Sequence, residues 1–444
     1  MPTLPGLPDV PRPAARPADD GAFPDPVRVS PATPPGTRGS AARRAPRPAV
    51  AAAVAAGALL LAPLAAATPA AAEGDSATAK PPARMSTLGG AQLGKQGTQV
   101  RLGKDAPALP KDLSALSWIV SDEKSGEVLA AHNAHWQLPP ASTLKMLFAD
   151  TLVPKFEADR SYTVKPQDLA GMGEGSSLVG IKENLSYTVR DLWLGVFLRS
   201  GNDAVHTLAA MNHGVDATVA EMRQKAKQLN ALDTHVVTPD GYDAKGQVSS
   251  AYDLSLFARQ GLKNADFRAY CATASAQFPG DKGKHGKRET FGIQNTDRLL
   301  TGDYDLAPYK GIEGVKNGYT TNAGNTYTGA ARRGDRTLLV TVMNPQRRVH
   351  NEVYREAAKL LDWGFSAAPR VSPVGQLVDP GDQAAKASDG KNTAKTSADD
   401  SGHTTAAAAS GGGGWTAAGI AAGAVVVVGA AGYAFRRSRS RARG

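Results

Sequence analysis

The hydrophobic pattern between residues 114 and 368 predicts strands at both ends of this segment and helices in its middle. Residues 117–122 and 128–130 are apolar runs joined by turn residues at 124–126, which is typical of a β-hairpin. Amphipathic runs of helical length follow, and three further strands precede a closing helix. The helices are predicted at 142–153, 188–199, 203–211, 215–229, 251–260, 264–271 and 352–363, and the late strands at 314–316, 325–332 and 337–343.

This order of elements predicts an α/β (α+β) body in which an antiparallel sheet is flanked by helices, with a helical subdomain. The body is assigned to residues 94–368, which is long enough to bury a sizeable core. The single cysteine, Cys271, excludes an internal disulfide and is predicted to be a buried, small apolar residue.

The chain before the body is predicted to be an extension, an export signal and a linker. Residues 1–48 are rich in Pro, Ala and Arg, a composition that predicts disorder. Within residues 43–72, arginines precede a continuous apolar run that ends in alanines, as in a signal peptide cleaved near Ala72. An uncleaved membrane anchor is the alternative interpretation. Residues 73–93 are assigned to a linker.

The chain after the body is predicted to attach it to a membrane. Residues 369–414 are rich in Ala, Ser, Asp, Lys and Gly and are typical of a flexible linker. Residues 415–435 carry no charge and are long enough to cross a bilayer as a helix. The basic tail at 436–444 is then cytoplasmic, which predicts a single-pass protein of the cell membrane with its catalytic body outside. A flexible Ala/Gly tail is the alternative.

The formal net charge of the 444 residues is +10, but part of it comes from the arginine-rich ends. The charge therefore indicates no nucleic-acid partner. A mildly basic exterior is compatible with anionic wall polymers outside the cell.

A serine and a lysine three residues apart open the first predicted helix. Ser142 and Lys145 then share a helix face, with their Cβ atoms about 5–6 Å apart. Burial lowers the pKa of a lysine, and a neutral lysine can take the proton of a serine nucleophile. Two other Ser-x-x-Lys segments, at 121–124 and 388–391, fall in a predicted turn and in the linker. Alone, the segment is more typical of a serine that caps a helix, followed by a lysine whose amine reaches solvent.

Two further polar segments complete a candidate site. Ser200 and Asn202 lie in a break between two predicted helices, where a hydroxyl can relay a proton and a carboxamide can hold a substrate amide. Lys316, Asn317 and Gly318 follow the start of a strand, where the lysine can hold a carboxylate. The alternatives are a helix-break serine with a capping asparagine, and an Asn-Gly turn. The chemistry needs no metal and no cofactor.

The three segments, in this order, resemble the signature of the penicillin-recognising serine enzymes. More narrowly, the chain resembles the serine-type D-alanyl-D-alanine carboxypeptidases of peptidase family S11, the low-molecular-mass penicillin-binding proteins, in an actinobacterial-like form. The resemblance implies a β-lactamase/DD-peptidase-like fold. It extends over residues 114–368 and includes LPPASTLK, GSS, SGND, TPDG, SAYDL, NTDRLL, GVKNGYT and LDWGF.

That resemblance implies a role for each site residue. Ser142 is the acylated nucleophile and Lys145 its general base, while Ser200 shuttles a proton and Asn202 orients the substrate. Lys316, Asn317 and Gly318 bind the terminal D-alanine of peptidoglycan stem peptides, and the backbone N–H groups of Ser142 and Tyr319 form the oxyanion hole. β-Lactams are expected to acylate Ser142. The family has Thr where this chain has Asn317, which puts the detail of carboxylate recognition in question.

Other functions use the same fold. A DD-transpeptidase or endopeptidase shares the acyl-enzyme, and a β-lactamase-like hydrolase shares the three motifs. An inactive cell-wall-binding module is the alternative from a different class. A zinc peptidase is disfavoured, because His132 and His135 lack an obvious third ligand and are interpreted as solvated.

Overall fold

The computed structural model describes residues 80–283 and 285–381. The helices of these residues are α1 (Lys145–Leu152), α2 (Val189–Leu198), α3 (Asn202–Met211), α4 (Val215–Gln228), α5 (Ala251–Gly261), α6 (Ala265–Cys271), α7 (Arg298–Thr301) and α8 (Glu352–Ala367). The strands are β1 (Thr98–Val100), β2 (Ala115–Asp122), β3 (Glu127–His132), β4 (Ser161–Thr163), β5 (Ser186–Thr188), β6 (Ser275–Lys282), β7 (Arg288–Gln294), β8 (Ile312–Thr320), β9 (Gly324–Arg333), β10 (Arg336–Pro345) and β11 (Gly375–Gln376).

The main sheet of the described residues has seven strands, in the order β1-β3-β2-β10-β9-β8, with β11 also paired to β3. Every pairing in it is antiparallel. The antiparallel sheet flanked by helices is therefore confirmed. Strand β8 is the edge that the site uses.

Helices cover both faces of the sheet. In β10, Leu338, Val340 and Val342 are buried in the apolar cluster that includes α8, whereas Leu339 and Met343 belong to the cluster that includes α1 and α5. Successive strand residues point to opposite faces, so a strand covered on both sides is a continuous apolar run. This is why β10 was recognisable in the sequence.

Two helices near the site, α2 and α5, begin at residues whose side chains cap the first turn. Thr188 caps α2: its hydroxyl accepts a hydrogen bond from the backbone N–H of Asp191, whose carboxylate accepts one from the backbone of Thr188. This capping box satisfies two backbone donors that a helix start leaves free. Ser250 caps α5 through the N–H of Asp253. Both helices were predicted to within about two residues.

Strand β8 is longer than predicted and runs through Lys316, Asn317 and Gly318. The interpretation of Asn317 and Gly318 as a loop turn is therefore wrong. The hairpin of β6 and β7 was not predicted, because Pro279 and Gly280 interrupt β6 and few side chains in either strand are buried.

The predicted body of residues 94–368 is too narrow. Leu93, Val374 and Leu377 are fully or almost fully buried, and the Gln376 N–H donates to the Gly89 carbonyl over 2.7 Å. Residues assigned to the two linkers thus complete one edge of the sheet. His135 is buried rather than solvated: its ring nitrogens lie 2.6 Å from Asp233 Oδ2 and 2.9 Å from the Leu88 carbonyl oxygen.

Cys271 is buried, as predicted, and burial raises the pKa of its thiol. In the described part of the chain, no helix is long and apolar enough to span a bilayer. The predicted extension at 1–48, signal peptide at 43–72, spanning helix at 415–435 and basic tail at 436–444 lie outside the described residues, as does most of the 369–414 linker.

Candidate active site

Ser142 lies in a tight helical turn, Ala141–Leu144, and the α-helix begins only at Lys145. The prediction that Ser142 opens the α-helix is therefore corrected. In a 3₁₀ turn, side chains three residues apart eclipse each other. Lys145 Nζ accordingly lies 2.8 Å from Ser142 Oγ, within hydrogen-bond distance.

The Lys145 amine is fully buried, and burial lowers its pKa to about 8. The carboxylates of Asp240 and Asp203 oppose this shift. Nζ also donates to the Asp240 carbonyl oxygen over 2.6 Å, which fixes the amine beside Ser142. A substantial fraction of Lys145 is therefore neutral just above neutral pH, as a general base requires.

Asp240 belongs to the turn that carries this carbonyl. Burial alone would raise the pKa of its carboxyl group, but hydrogen bonding from His206, the charge of Lys145 and two further donors lower it to about 2. The donors are the Thr238 hydroxyl at 2.8 Å and the Tyr242 N–H at 2.9 Å. The following Gly241 has φ +82°, and a Cβ there would lie 1.9 Å from the Ala141 carbonyl oxygen. Only glycine lets the turn lie against the nucleophile.

Ser200 and Asn202 lie where α2 ends and α3 begins. Ser200 has φ 55° and Ala141, next to the nucleophile, has φ 50°, both in the left-handed region that costs free energy for residues with a Cβ. The Ser200 hydroxyl and the Asn202 carboxamide oxygen are buried, and neither has a hydrogen-bond partner among the described residues.

Ser176, in the loop before β5, sets the orientation of the Asn202 carboxamide. Its hydroxyl donates to the Gly173 carbonyl over 2.6 Å, so its oxygen is left as an acceptor. Asn202 Nδ2 donates to that oxygen over 3.0 Å. The Nδ2 group therefore lies on the side of the loop, and Oδ1 points into the protein.

The same loop is fixed by Asp203. Its carboxylate accepts hydrogen bonds from the backbone N–H groups of Val179, Gly180 and Ile181, at 2.8 to 3.0 Å. The residue after Asn202 therefore ties the loop to the start of α3.

Lys316 is buried in the middle of β8. Burial, and then the charge of Lys145, lower the pKa of its amine, while Asp297 opposes the shift. The pKa of Lys145 itself is lowered by burial rather than by Lys316. Lys316 Nζ donates to the backbone carbonyl of Asn317 over 2.7 Å and to its carboxamide oxygen over 3.2 Å.

Gly318 brings β8 against the nucleophile. A Cβ at this position would lie 2.7 Å from the Ser142 backbone nitrogen and 2.7 Å from Thr326 Oγ1. The absence of a side chain at Gly318 therefore makes room for Ser142. The next residue, Tyr319, has an exposed side chain at the rim.

Ser142, Asn202 and Tyr319 line one open cleft of about 250 Å³. Its other walls come from the loop with Ser176 and the turn with Tyr242, whose hydroxyl donates to the Glu174 carbonyl. Lys145 and Lys316 lie behind this surface and are buried. The cleft is thus lined by a residue from each of the first two sequence segments and by Tyr319, which follows the third segment. Ser200 makes no side-chain hydrogen bond to the other site residues of the described chain.

Sequence reasoning assigned no role to Ser176, Asp203, His206, Asp240 or Thr296. The segments of all but His206 were quoted, but only as parts of the family resemblance. A single sequence gives no signal for these residues. Each forms a hydrogen bond or ion pair with a residue that is not its neighbour in sequence, and polar residues of the same types are common on protein surfaces.

Known proteins of similar sequence identify the family of this chain. The sequence model of peptidase S11, described as D-alanyl-D-alanine carboxypeptidase, matches residues 104–347. The D-alanyl-D-alanine carboxypeptidase DacB2 of Mycobacterium tuberculosis is 42% identical over 269 residues, covering 60% of this chain and 87% of the relative. DacD of Escherichia coli is 32% identical over 57% of this chain and 64% of its own length.

Solved structures match over the same region. A D-alanyl-D-alanine carboxypeptidase from M. tuberculosis has a TM-score of 0.54 and 37% identity, covering 62% of this chain and 99% of that chain. The Streptomyces K15 DD-transpeptidase has a TM-score of 0.53 and 24% identity, covering 58% and 99%, and shows the fold alone. From the matched segment, the site geometry and these relatives, the chain belongs to peptidase family S11, the D-alanyl-D-alanine carboxypeptidases.

Proposed function

We propose that this chain removes the terminal D-alanine from peptidoglycan stem pentapeptides through an acyl-enzyme on Ser142. The observation that carries the proposal is the 2.8 Å contact between Ser142 Oγ and the buried amine of Lys145, whose pKa is lowered to about 8. A hydroxyl nucleophile with an adjacent neutral amine is an activated pair.

Acylation begins when neutral Lys145 accepts the proton of Ser142 Oγ. The oxygen attacks the carbonyl carbon of the penultimate D-alanine, and the carbonyl oxygen becomes an oxyanion. The backbone N–H groups of Ser142 and Tyr319 stabilise this charge. The close packing of Gly318 on the Ser142 nitrogen supports this pairing, because it holds the two backbone segments side by side.

Collapse of the tetrahedral intermediate breaks the peptide bond. Ser200 passes a proton to the leaving amine of D-alanine and is reprotonated from the Lys145 ammonium. The Asn202 carboxamide orients the peptide, and Lys316 with Asn317 binds the carboxylate of the leaving residue. The buried, unpartnered hydroxyl of Ser200 supports its role, because within the described residues it has no structural bond to break.

Hydrolysis of the ester completes the cycle. Water loses a proton to Lys145 and attacks the acyl carbon, and Ser142 Oγ leaves with that proton. The products are the shortened stem peptide and D-alanine. Ser142 attacks the ring carbonyl of a β-lactam in the same way, the ring amide bond breaks, and the carbonyl becomes part of an ester on Ser142.

The cellular location of the body is inferred from the apolar segments of the sequence. We infer that the body acts outside the cell membrane, after export by residues 43–72 and attached through residues 415–435, because its substrate class is extracellular and both segments have the required apolar length. Protease treatment of intact cells should remove the body, whereas a variant that ends at residue 414 should appear in the medium.

The catalytic proposal is tested by mass spectrometry of the protein after incubation with benzylpenicillin. The expected result is one penicilloyl adduct on the peptide that contains Ser142, absent from Ser142→Ala. An adduct elsewhere would refute the mechanism. Rapid loss of the adduct would indicate a β-lactamase, and cross-linked dimers from a pentapeptide would indicate a transpeptidase.

A further inference from the structure

Thr296 joins the second and third segments of the site. It lies between β7 and α7, and its backbone N–H donates to the carbonyl of Leu198 over 3.0 Å, two residues before Ser200. On its other side, its hydroxyl reaches β8. The residue is half-buried at the edge of the sheet.

The Thr296 hydroxyl donates to the carboxamide oxygen of Asn317 over 3.0 Å. The same oxygen accepts from Lys316 Nζ over 3.2 Å. Two donors on Oδ1 fix which end of the carboxamide faces inward, because Nδ2 would present hydrogen atoms to both of them. The Nδ2 group is therefore the end that remains for other acceptors.

Tyr354, in α8, contacts both Thr296 and Asn317. Its hydroxyl donates to the Thr296 carbonyl over 3.1 Å and contacts the Asn317 side chain. Nδ2 carries two hydrogen atoms, so one remains when the other points at Tyr354. The carboxamide is thus held on two sides, and its freedom to rotate is small.

We propose that Thr296 is a positioning residue for recognition of the substrate's C-terminal carboxylate, acting through Asn317. This inference rests on the proposed function. By holding Oδ1, Thr296 keeps in place the oxygen to which the Lys316 amine donates, and it directs an N–H of Asn317 to the carboxylate. A threonine at position 317 would offer no carboxamide oxygen for Thr296 to hold.

Removal of the hydroxyl leaves Oδ1 with Lys316 as its sole donor among the described residues. The carboxamide can then rotate and bring its oxygen towards the incoming carboxylate, which repels it. The loss should fall on substrate binding rather than on acylation, since Thr296 does not touch Ser142 or Lys145.

The test compares Thr296→Val with Thr296→Ser in the full-length protein. The substrates are diacetyl-L-Lys-D-Ala-D-Ala and its C-terminal amide. Thr296→Val should raise KM for the free carboxylate about tenfold, the size of one hydrogen bond to a charged group, with kcat little changed. Thr296→Ser keeps the hydroxyl and should behave like the wild type. The preference for carboxylate over amide should fall about tenfold in the valine variant alone.

A double-mutant cycle gives the second readout. In an Asn317→Thr background, Thr296→Val should change KM less than about twofold, because the coupled group is gone. Equal losses on both substrates, or the same effect in both backgrounds, would overturn the inference. If the wild type releases no D-alanine, the proposed function fails, and Thr296 is judged by whether its valine variant slows acylation by benzylpenicillin, which also carries a carboxylate.

Discussion

Lys145 Nζ lies 2.8 Å from Ser142 Oγ and 2.6 Å from the carbonyl oxygen of Asp240. The amine therefore faces the nucleophile on one side and a turn 95 residues further along the chain on the other. The chemistry depends on the protonation state of this amine, because only its neutral form can accept the serine proton.

Acylation should rise with pH through the pKa of Lys145, which is about 8. A base with this pKa is about half neutral at pH 8 and about 1% neutral at pH 6, so the rate with benzylpenicillin should fall roughly fifty-fold between them. Stopped-flow rates across this range measure it. Asp240→Asn removes a charge that raises the pKa of Lys145, so its midpoint should move to lower pH. A flat profile would exclude Lys145 as the base.

Gly318→Ala should slow acylation about a hundred-fold, because the added Cβ would displace β8 or the Ser142 turn, and such shifts at a reacting atom cost about this factor. The rate of penicillin adduct formation measures it. Gly292→Ala is the matched control, since its Cβ would meet only one atom within 4 Å, the Gln277 side chain at 3.9 Å. An unaffected Gly318→Ala would show that the strand does not need this close approach.

Ser176→Ala should slow acylation by benzylpenicillin but leave acylation by sulbactam nearly unchanged. The substitution removes the acceptor that orients Nδ2 of Asn202. Benzylpenicillin has an acylamino carbonyl for that group to bind, and sulbactam has none. A loss of about tenfold is expected, the effect of one misdirected hydrogen bond. Equal loss with both inhibitors would indicate general damage to the loop.

A protein that ends at residue 368 should be less stable than one that ends at 381. The truncation exposes the sites of Val374 and Leu377, and burial of two such side chains contributes about 3–6 kcal/mol. Urea unfolding of both versions, each starting at residue 80, gives the difference. Substitution of exposed Ser372 with Ala in the longer version is the control and should change little. Equal stability would restore the boundary predicted from the sequence.

The elements that the sequence revealed are those with a strong periodic pattern. Strand β10 is apolar on both faces, and α5 has a capping serine and an amphipathic face. Strand β11 has two residues and its pairing depends on a partner about 250 positions earlier, so no local pattern marks it. Long-range pairing, rather than propensity, determines such elements.

The site shows the same division. Ser142 and Lys145 were recognisable because their spacing is local and their chemistry is specific. The supporting bonds were not, since those of Ser176 to Asn202 and of Thr296 to Asn317 join residues 26 and 21 positions apart. Asn317 illustrates this limit of motif recognition. Its side chain accepts hydrogen bonds from Thr296 and Lys316 without any substrate present, and the motif alone does not reveal these contacts.

The hydrogen bond between Gln376 and Gly89 places the two ends of the described body side by side. They lie at β3, four strand spacings from β8, or roughly 20 Å across the sheet. These two segments of the described body therefore lie away from the catalytic cleft. Purification tags, surface attachment or fusion partners joined at residues 80 and 381 should leave access of wall polymers to Ser142 unobstructed.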